Sequence, residues 1–330
     1  DGEGFYAIPD VDRLGPFLMS VISDSDHWMF VSSRGGLTAG RGDAGSALFP
    51  YETDDRIHLA AGLTGPVTAI RAATHDTAVI WRPFTEPPSP RLVRNLYKSV
   101  VGNQVIFEEI NHDLGFGFRY RWAPSDRFGF VRTATLTNLA DRTARVDLID
   151  GLVNVLPSGL DPTLYQRMNN LTNAYKRSEV IDAPTRLSVF SLEAQIVDRP
   201  DPAEALVGST AWSSGLAGAD LTLDRRAIEA FLAGELAPPA SLVTGRPGAY
   251  LLTATKTIAP GENETWQIIA DVRQDQRRVV RLRSYLRATA DPALDIESSV
   301  RDGTARLVEM LAGSDALQRS GDRVATAHQF

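Results

Sequence analysis

The sequence of 330 residues contains no cysteine. That absence excludes a disulfide scaffold, a Cys-ligated zinc site, an iron–sulfur cluster and a cysteine nucleophile. Long apolar runs are also missing, since none approaches the roughly 20 residues that a membrane-spanning helix needs. Basic residues are not in excess, because 34 Lys and Arg stand against 41 Asp and Glu, for a net charge of −7. We therefore expect neither a nucleic-acid partner nor a membrane partner.

Motifs for metal and cofactor chemistry are scarce as well. The five histidines show no His-x-x-x-His spacing, and no P-loop, dinucleotide fingerprint or Gly-x-Ser-x-Gly elbow stands in a strand–turn–helix context. The sequence therefore predicts no metal site and no cofactor. Adjacent carboxylates occur at Asp54-Asp55 and Glu108-Glu109, but neighbouring residues on a strand point to opposite faces. Neither pair can supply both carboxyl groups of a glycosidase, and we predict no catalytic residue.

Alternation of apolar and polar residues dominates most of the chain and predicts antiparallel strands. The clearest case has an aromatic face and a polar face at period two, formed by Phe116, Phe118, Tyr120 and Trp122 between Gly117, Arg119 and Arg121. Residues 128–137 and 144–155 follow after short turns, which predicts a three-stranded meander. A final hairpin is predicted from Tyr250–Ile258 and Thr265–Val272.

Helical spacing takes over near the end of the chain. Asp161–Lys176 and Asp224–Leu236 are predicted as helices within the β region, and residues 274–330 carry apolar side chains three and four positions apart. The predicted fold is mainly β: a large antiparallel β-sandwich (supersandwich) over residues 1–272, followed by a helical linker over residues 273–330.

Residues suited to a sugar site concentrate between positions 24 and 58. Aromatic rings stack on the apolar faces of sugars, while Arg and Asp side chains bind hydroxyls. The segment holds these among glycines and turns: His27, Trp28, Arg34, Arg41, Asp43, Tyr51, Asp54 and His58. Trp28 lies inside an apolar run, so a place in the core is the alternative for that residue.

The same part of the chain resembles a known family. A strand Trp28-Met29-Phe30-Val31-Ser32-Ser33 is followed by Gly35-Gly36-Leu37-Thr38, then by Leu48-Phe49-Pro50-Tyr51 and Thr53-Asp54. This order is similar to the opening of the N-terminal β-sandwich in cellobiose phosphorylase and in the phosphorylase-like part of cyclic β-1,2-glucan synthase. Leu37 stands where an aromatic is usual and Tyr51 where Trp is usual, which favours a relative of those enzymes over a true phosphorylase.

The resemblance implies a non-catalytic module. In that family the catalytic acid and the phosphate-binding residues lie in an (α/α)₆ barrel, for which this chain has no room, so the sequence is expected to be a piece of a longer polypeptide. The implied function is that of the N-terminal module of a glycoside phosphorylase or hydrolase acting on β-glucosides or β-glucans. Its implied partners are the barrel of the same polypeptide and the glucan substrate, and a homodimer is also compatible. The implied substrate-binding residues are Arg34, Arg41, Asp43, Tyr51 and Asp54.

Two other functions stay open at this point. A stand-alone carbohydrate-binding module predicts an exposed aromatic strip, for which Trp81, Tyr97 and Trp122 are the candidates. A self-contained glycoside hydrolase would use carboxylates of the β region. We expect a cytoplasmic location, with the periplasm as the alternative, since the absence of cysteine fits both compartments.

Overall fold

The computed structural model describes residues 4–74, 77–85, 87–194, 196, 205–235 and 239–314. Within these ranges the chain forms nineteen strands, which in chain order are β1 Phe5–Ile8, β2 Leu18–Val21, β3 His27–Ser32, β4 Leu37–Arg41, β5 Ala47–Phe49, β6 Gly65–Thr74, β7 Thr77–Trp81, β8 Leu92–Ser99, β9 Val105–Asn111, β10 Phe116–Ser125, β11 Gly129–Asn138, β12 Ala144–Val155, β13 Lys176–Asp182, β14 Leu187–Leu192, β15 Val207–Gly215, β16 Asp220–Thr222, β17 Leu242–Thr244, β18 Gly248–Ile258 and β19 Asn263–Asp275. The α-helices of the same ranges are α1 Asp54–Leu59, α2 Pro162–Arg167, α3 Asn169–Ala174, α4 Arg226–Ala233, α5 Gln276–Ala288 and α6 Ala293–Gly313.

The strands form three antiparallel sheets. The largest has the order β1-β8-β9-β10-β11-β19-β15-β14-β13-β17, the second β16-β18-β12-β6-β7, and the third β2-β3-β4-β5. One continuous apolar core contains inward side chains of all three sheets. The prediction of a mainly β fold with large antiparallel sheets and helix at the C-terminal end is confirmed.

Strand β10 shows why the alternating sequence pattern was informative. Phe116, Phe118, Tyr120 and Trp122 are each at most 3% exposed, so the predicted aromatic face is the buried face. Burying each of these rings contributes roughly 2–3 kcal/mol to folding. The strand runs on to Ser125, where the sequence had predicted a turn.

Two predicted strand pairings are wrong. Strand β11 pairs with β10 and β19 in the ten-stranded sheet, whereas β12 pairs with β6 and β18 in the five-stranded sheet, so the expected meander is broken between them. Strands β18 and β19 likewise lie in different sheets and form no hairpin. The two crossing loops meet at buried Asn138, which donates to the carbonyl of Ile258 and accepts from the amide of Gly261. A short polar loop serves a sheet crossing as well as a hairpin, so composition did not separate them.

The helices cover the outer faces of the sandwich. Helix α4 packs on the five-stranded sheet, while α5 and α6 pack on the ten-stranded sheet through Leu286, Ile296 and Val300. Strand β19 continues to Asp275, whose carboxylate accepts from an amide of the first turn of α5. The division at residue 272 stays a prediction. Across the described residues, no helix combines the length and apolar character that a bilayer crossing requires.

The predicted helices inside the β region are shorter than expected. Asp161 caps α2, but the helix ends at Arg167, α3 follows as a separate turn, and β13 already begins at Lys176. Helix α4 ends at Ala233, where Gly234 adopts the left-handed conformation that suits a helix end.

Candidate functional site

A cleft of about 600 Å³ opens at one end of the sandwich, between the two larger sheets. The β3–β4 turn, the end of α1, the start of β6 and the β7–β8 connection surround it, and strands β8 to β10 form its floor. This volume falls in the range of about 300–1,000 Å³ that is typical of small-molecule sites. The cleft is therefore large enough for a ligand of one or two sugar rings.

Aromatic rings form the floor of the cleft. Phe107 and Tyr120 stack with their centroids 4.9 Å apart, and Phe84 meets Tyr120 edge-on at 5.3 Å. Phe84 has a positive φ of 65°, which is unusual for a bulky residue. Its amide donates to the Oε2 atom of Glu109 at 2.7 Å, and this bond helps to hold the ring of Phe84 over the floor. The apolar surface is thus held in place before any ligand arrives.

The hydroxyl of Tyr120 faces the cleft from this floor. Tyr120 is 3% exposed, yet no described residue forms a hydrogen bond with its hydroxyl. The close neighbour is Gly35, at which an added Cβ would lie 3.2 Å from the hydroxyl oxygen. Burial raises the pKa of Tyr120 well above its ordinary value, so the group stays protonated at neutral pH. It is a donor that a ligand oxygen can use.

The wall of the cleft contains a buried ion-pair group. Arg94 donates from Nε to Glu109 at 2.6 Å and from Nη1 to Asp12 at 3.2 Å. The indole of Trp81 donates to the other oxygen of Glu109 at 2.6 Å. Burial lowers the pKa of Arg94, but the carboxylates of Glu109 and Asp12 together outweigh that effect, and the pKa lies above the ordinary value. Trp81, Arg94 and Glu109 thus satisfy one another's hydrogen-bonding groups, and together they join β7, β8 and β9.

Arg34 and His58 stand at the rim. Arg34 lies in the β3–β4 turn, and its guanidinium forms no ion pair with any residue of the described ranges. Buried Ser32 holds both segments, because its hydroxyl accepts from the amide of Arg34 at 3.1 Å and contacts Nδ1 of His58 at 2.7 Å. The rim also carries the exposed side chains of Leu14 and Leu59.

Arg41 forms a separate charged cluster at the other end of β4. Its guanidinium pairs with Asp26 at 2.7 Å, Asp126 at 3.2 Å and Asp271 at 3.3 Å. Arg273 extends the cluster to Asp26 at 3.3 Å. Burial raises the pKa of Asp271 to about 6 although Arg41 acts to lower it. The cluster joins the four-stranded sheet to the ten-stranded sheet.

The residues that the sequence grouped into one site are divided by the structure. Arg34 lines the cleft just before β4, whereas Arg41 ends that strand and Asp43 follows it, roughly 16 Å away. Tyr51 is exposed and meets Trp28 edge-on at 5.8 Å. Asp54 begins α1, and its side chain lies outside the described part of the structure. A role in substrate binding stays a prediction for all five residues.

The aromatic strip expected for a stand-alone binding module is wrong at two of its three positions. Trp81 is fully buried and Trp122 is 1% exposed. Tyr97 lies on the opposite face of the sheet from the cleft, with its hydroxyl bonded to Glu108 at 2.7 Å. Side chains alternate between the two faces of a strand, and at Trp81 and Trp122 that alternation turns the side chain towards the core.

Sequence reasoning missed the buried charges and the role of Tyr120. Glu109 stands on the inward face of β9 with Val105 and Phe107, and a carboxylate on an apolar face signals a buried ion pair. That signal was available for Glu109. Tyr120 carried no such signal, because its pattern is the same as that of its fully packed neighbours on β10.

Comparison with known proteins gives the fold class. No protein-family model matches the sequence, and no curated protein matches it significantly. Among solved structures, a bacterial glucoamylase complexed with acarbose is similar at a TM-score of 0.50 and 9% identity, over 90% of this chain and 38% of that chain. At this identity the likeness shows a shared fold alone, and this chain spans well under half of the glucoamylase chain.

Two further solved structures are similar at lower scores. A galactose mutarotase-like protein from Lactobacillus casei aligns at a TM-score of 0.37 and 8% identity, over 78% of this chain and 100% of that chain. The heparan sulfate lyase HepC from Pedobacter heparinus aligns at 0.35 and 7% identity, over 78% and 36%. Both similarities are too weak to bear on this fold.

Proposed function

We propose that this chain is the N-terminal β-sandwich module of a carbohydrate-active enzyme, with the catalytic residues elsewhere on the same polypeptide. The observation that carries the proposal is the structural match to a glucoamylase bound to acarbose, which extends over 90% of this chain but 38% of the enzyme. A module of a larger enzyme would align over most of its own length but over only part of the enzyme, as is the case here.

The environment of the buried carboxylates supports an accessory role. A glycosidase keeps one carboxylic acid protonated across a cleft from a second carboxyl group. Glu109, Asp150, Asp182 and Asp271 are instead each paired with at least one arginine. Pairing of this kind joins elements of the fold, which supports a structural role for these four carboxylates.

A finer proposal follows from the sequence resemblance. It makes the whole polypeptide a glycoside phosphorylase or hydrolase acting on β-glucosides or β-glucans, with an (α/α)₆ barrel packed against the helices of this chain. Exposed apolar side chains on these helices support such a contact, with Val280 at 61%, Leu294 at 77% and Met310 at 54%.

Activity of the whole polypeptide tests the proposal. It would be incubated with α- and β-linked gluco-oligosaccharides, with and without inorganic phosphate, and the products identified. Sugar 1-phosphate formed only with phosphate supports a phosphorylase, and free sugar in both conditions supports a hydrolase or transglycosylase. No turnover of any oligosaccharide would contradict an enzyme of this class.

The 330-residue chain at equal molarity is the control. The proposal predicts no turnover by this chain alone. Turnover by the isolated chain would instead establish a self-contained hydrolase, and single replacements of its exposed Asp and Glu residues would then locate the acid and the base.

A further inference from the structure

We propose that the cleft between the two larger sheets binds one pyranose unit of an uncharged glycan, held by the Tyr120 hydroxyl and the Arg34 guanidinium. The inference rests on the proposed function, because it takes the ligand class from carbohydrate chemistry. It adds a binding site on the sandwich itself.

The cleft presents two hydrogen-bond donors that the described residues leave unused. The hydroxyl oxygen of Tyr120 keeps solvent contact at the cleft, and no described residue forms a hydrogen bond with it. Arg34 presents its guanidinium at the same cleft without an ion pair among those residues. Two donors that the fold leaves unused, one deep and one at the rim, fit a ligand that carries several oxygen atoms.

The charges of the described residues around the cleft balance one another. Arg94 is neutralised by Glu109, with which it forms a charge-assisted bond of 2.6 Å. The negative charge of Asp12 then balances the positive charge of Arg34 across the lining. A lining whose described residues carry no net charge favours a neutral sugar over a sugar phosphate or a uronic acid.

The surface of the cleft combines apolar and polar sides. Polar groups stand beside the half-buried ring of Phe84 and the exposed side chains of Leu14 and Leu59. A pyranose has one apolar face of ring hydrogens and an edge of hydroxyls, so it matches a surface that is apolar on one side and polar on the other. The hydrogen bond from the Phe84 amide to Glu109 keeps that surface preformed.

Calorimetric titration of the 330-residue chain tests the site. The probes are glucose, cellobiose, cellotriose, maltose and maltotriose, with glucose 1-phosphate and inorganic phosphate as charged probes. We expect a neutral sugar to bind in the millimolar range or tighter, and the charged probes to bind no better. Tyr120→Phe should weaken binding about 3- to 10-fold, and Arg34→Ala by a similar factor.

Matched controls separate binding from folding. Tyr285→Phe removes a tyrosine hydroxyl from helix α5 on the outer face of the ten-stranded sheet, and Arg145→Ala removes an exposed arginine from the outer face of the five-stranded sheet. Both should leave sugar affinity unchanged. Tyr120→Phe removes a single oxygen that has no described partner, so its melting temperature should stay near that of the parent. If Tyr120→Phe fails to fold, Arg34→Ala still tests the site, because Arg34 is exposed.

The outcomes distinguish this inference from the proposed function. If no probe binds, or if Tyr120→Phe and Arg34→Ala both bind like the parent, the cleft is not the sugar site, even where the whole polypeptide turns over oligosaccharides. Stronger binding of glucose 1-phosphate than of glucose overturns the neutral ligand. Cleft-dependent binding without turnover by the whole polypeptide keeps the site and refutes the proposed enzyme.

Discussion

The buried pair of Arg132 and Asp150 offers the sharpest test of how the two sheets are joined. Arg132 lies on β11 in one sheet and Asp150 on β12 in the other, and both side chains are fully buried. The guanidinium donates two bonds to the carboxylate, at 2.7 and 2.9 Å. Thr68 and the indole of Trp266 also donate to it, at 2.7 and 2.6 Å.

Arg132→Met should destabilise the protein by about 3–5 kcal/mol, because it leaves the carboxylate of Asp150 buried without its counter-charge. Adding Asp150→Leu removes that uncompensated charge. The double variant still leaves the indole of Trp266 without its acceptor, which costs about 1–3 kcal/mol. The double variant should therefore be more stable than Arg132→Met alone.

Urea unfolding followed by tryptophan fluorescence and circular dichroism measures these free energies. Arg145→Met, at an exposed position on β12, is the control and should change stability by no more than about 0.5 kcal/mol. A loss below about 1 kcal/mol for Arg132→Met would refute the reasoning. So would a double variant whose loss equals the sum of the single losses, because additivity means that the two side chains do not interact.

Three further predictions concern other buried polar groups. Burial raises the pKa of Asp271 to about 6 in the folded protein, above the ordinary value of 3.8, so the folded state binds a proton more tightly than the unfolded state. The stability of the parent relative to Asp271→Asn should accordingly rise as pH falls from about 6 to about 4, and urea unfolding at stepped pH would show no such trend if the carboxyl lacked this shift. Arg287 and Thr185 hold the pKa of Asp182 below its ordinary value, so its contribution is present above about pH 4 and is lost as pH falls below that. Asp182→Asn should speed hydrogen exchange in α5 at pH 7, and unchanged exchange would show that the arginine pairs do not anchor the helix. Asn138→Ala should cost about 2–3 kcal/mol in urea unfolding, because it leaves the carbonyl of Ile258 without its side-chain donor, and a loss under about 0.5 kcal/mol would show that the two crossing loops do not depend on this residue.

The sequence predicted the elements of this fold better than their connections. Period-two alternation identified β10 because a strand with one buried face must place apolar residues at every second position. Asn138 to Arg142 reads as a hairpin turn, yet it carries the chain from the ten-stranded sheet to the five-stranded one. Which sheet receives the returning strand is decided by long-range pairing with β6 and β18, for which the loop itself holds no signal.

The candidate site was predictable only in part for the same reason. Arg34 was placed correctly in a glycine-rich turn, but the cleft also needs Asp12, Phe84 and Tyr120, which come from distant positions in the chain. Arg41 has the residue type of a sugar ligand, but it is occupied by three carboxylates, one of them 230 positions away. Residue type alone could not separate an arginine used by the fold from one that has no ion pair among the described residues.

The Gly35-Gly36 step that carried the family resemblance has a packing explanation. A side chain at Gly36 would collide with the carbonyl of Ile57 on α1, and Gly35 has a φ of 87° beside the hydroxyl of Tyr120. Any sandwich that seats a helix against this turn needs small residues there, whatever its chemistry. The motif therefore reflects how the turn packs, whereas the proposed sugar site depends on the two donors at this turn, Arg34 and Tyr120. Sugar-affinity measurements on variants of Arg34 and Tyr120 therefore test function more directly than further sequence similarity in the turn does.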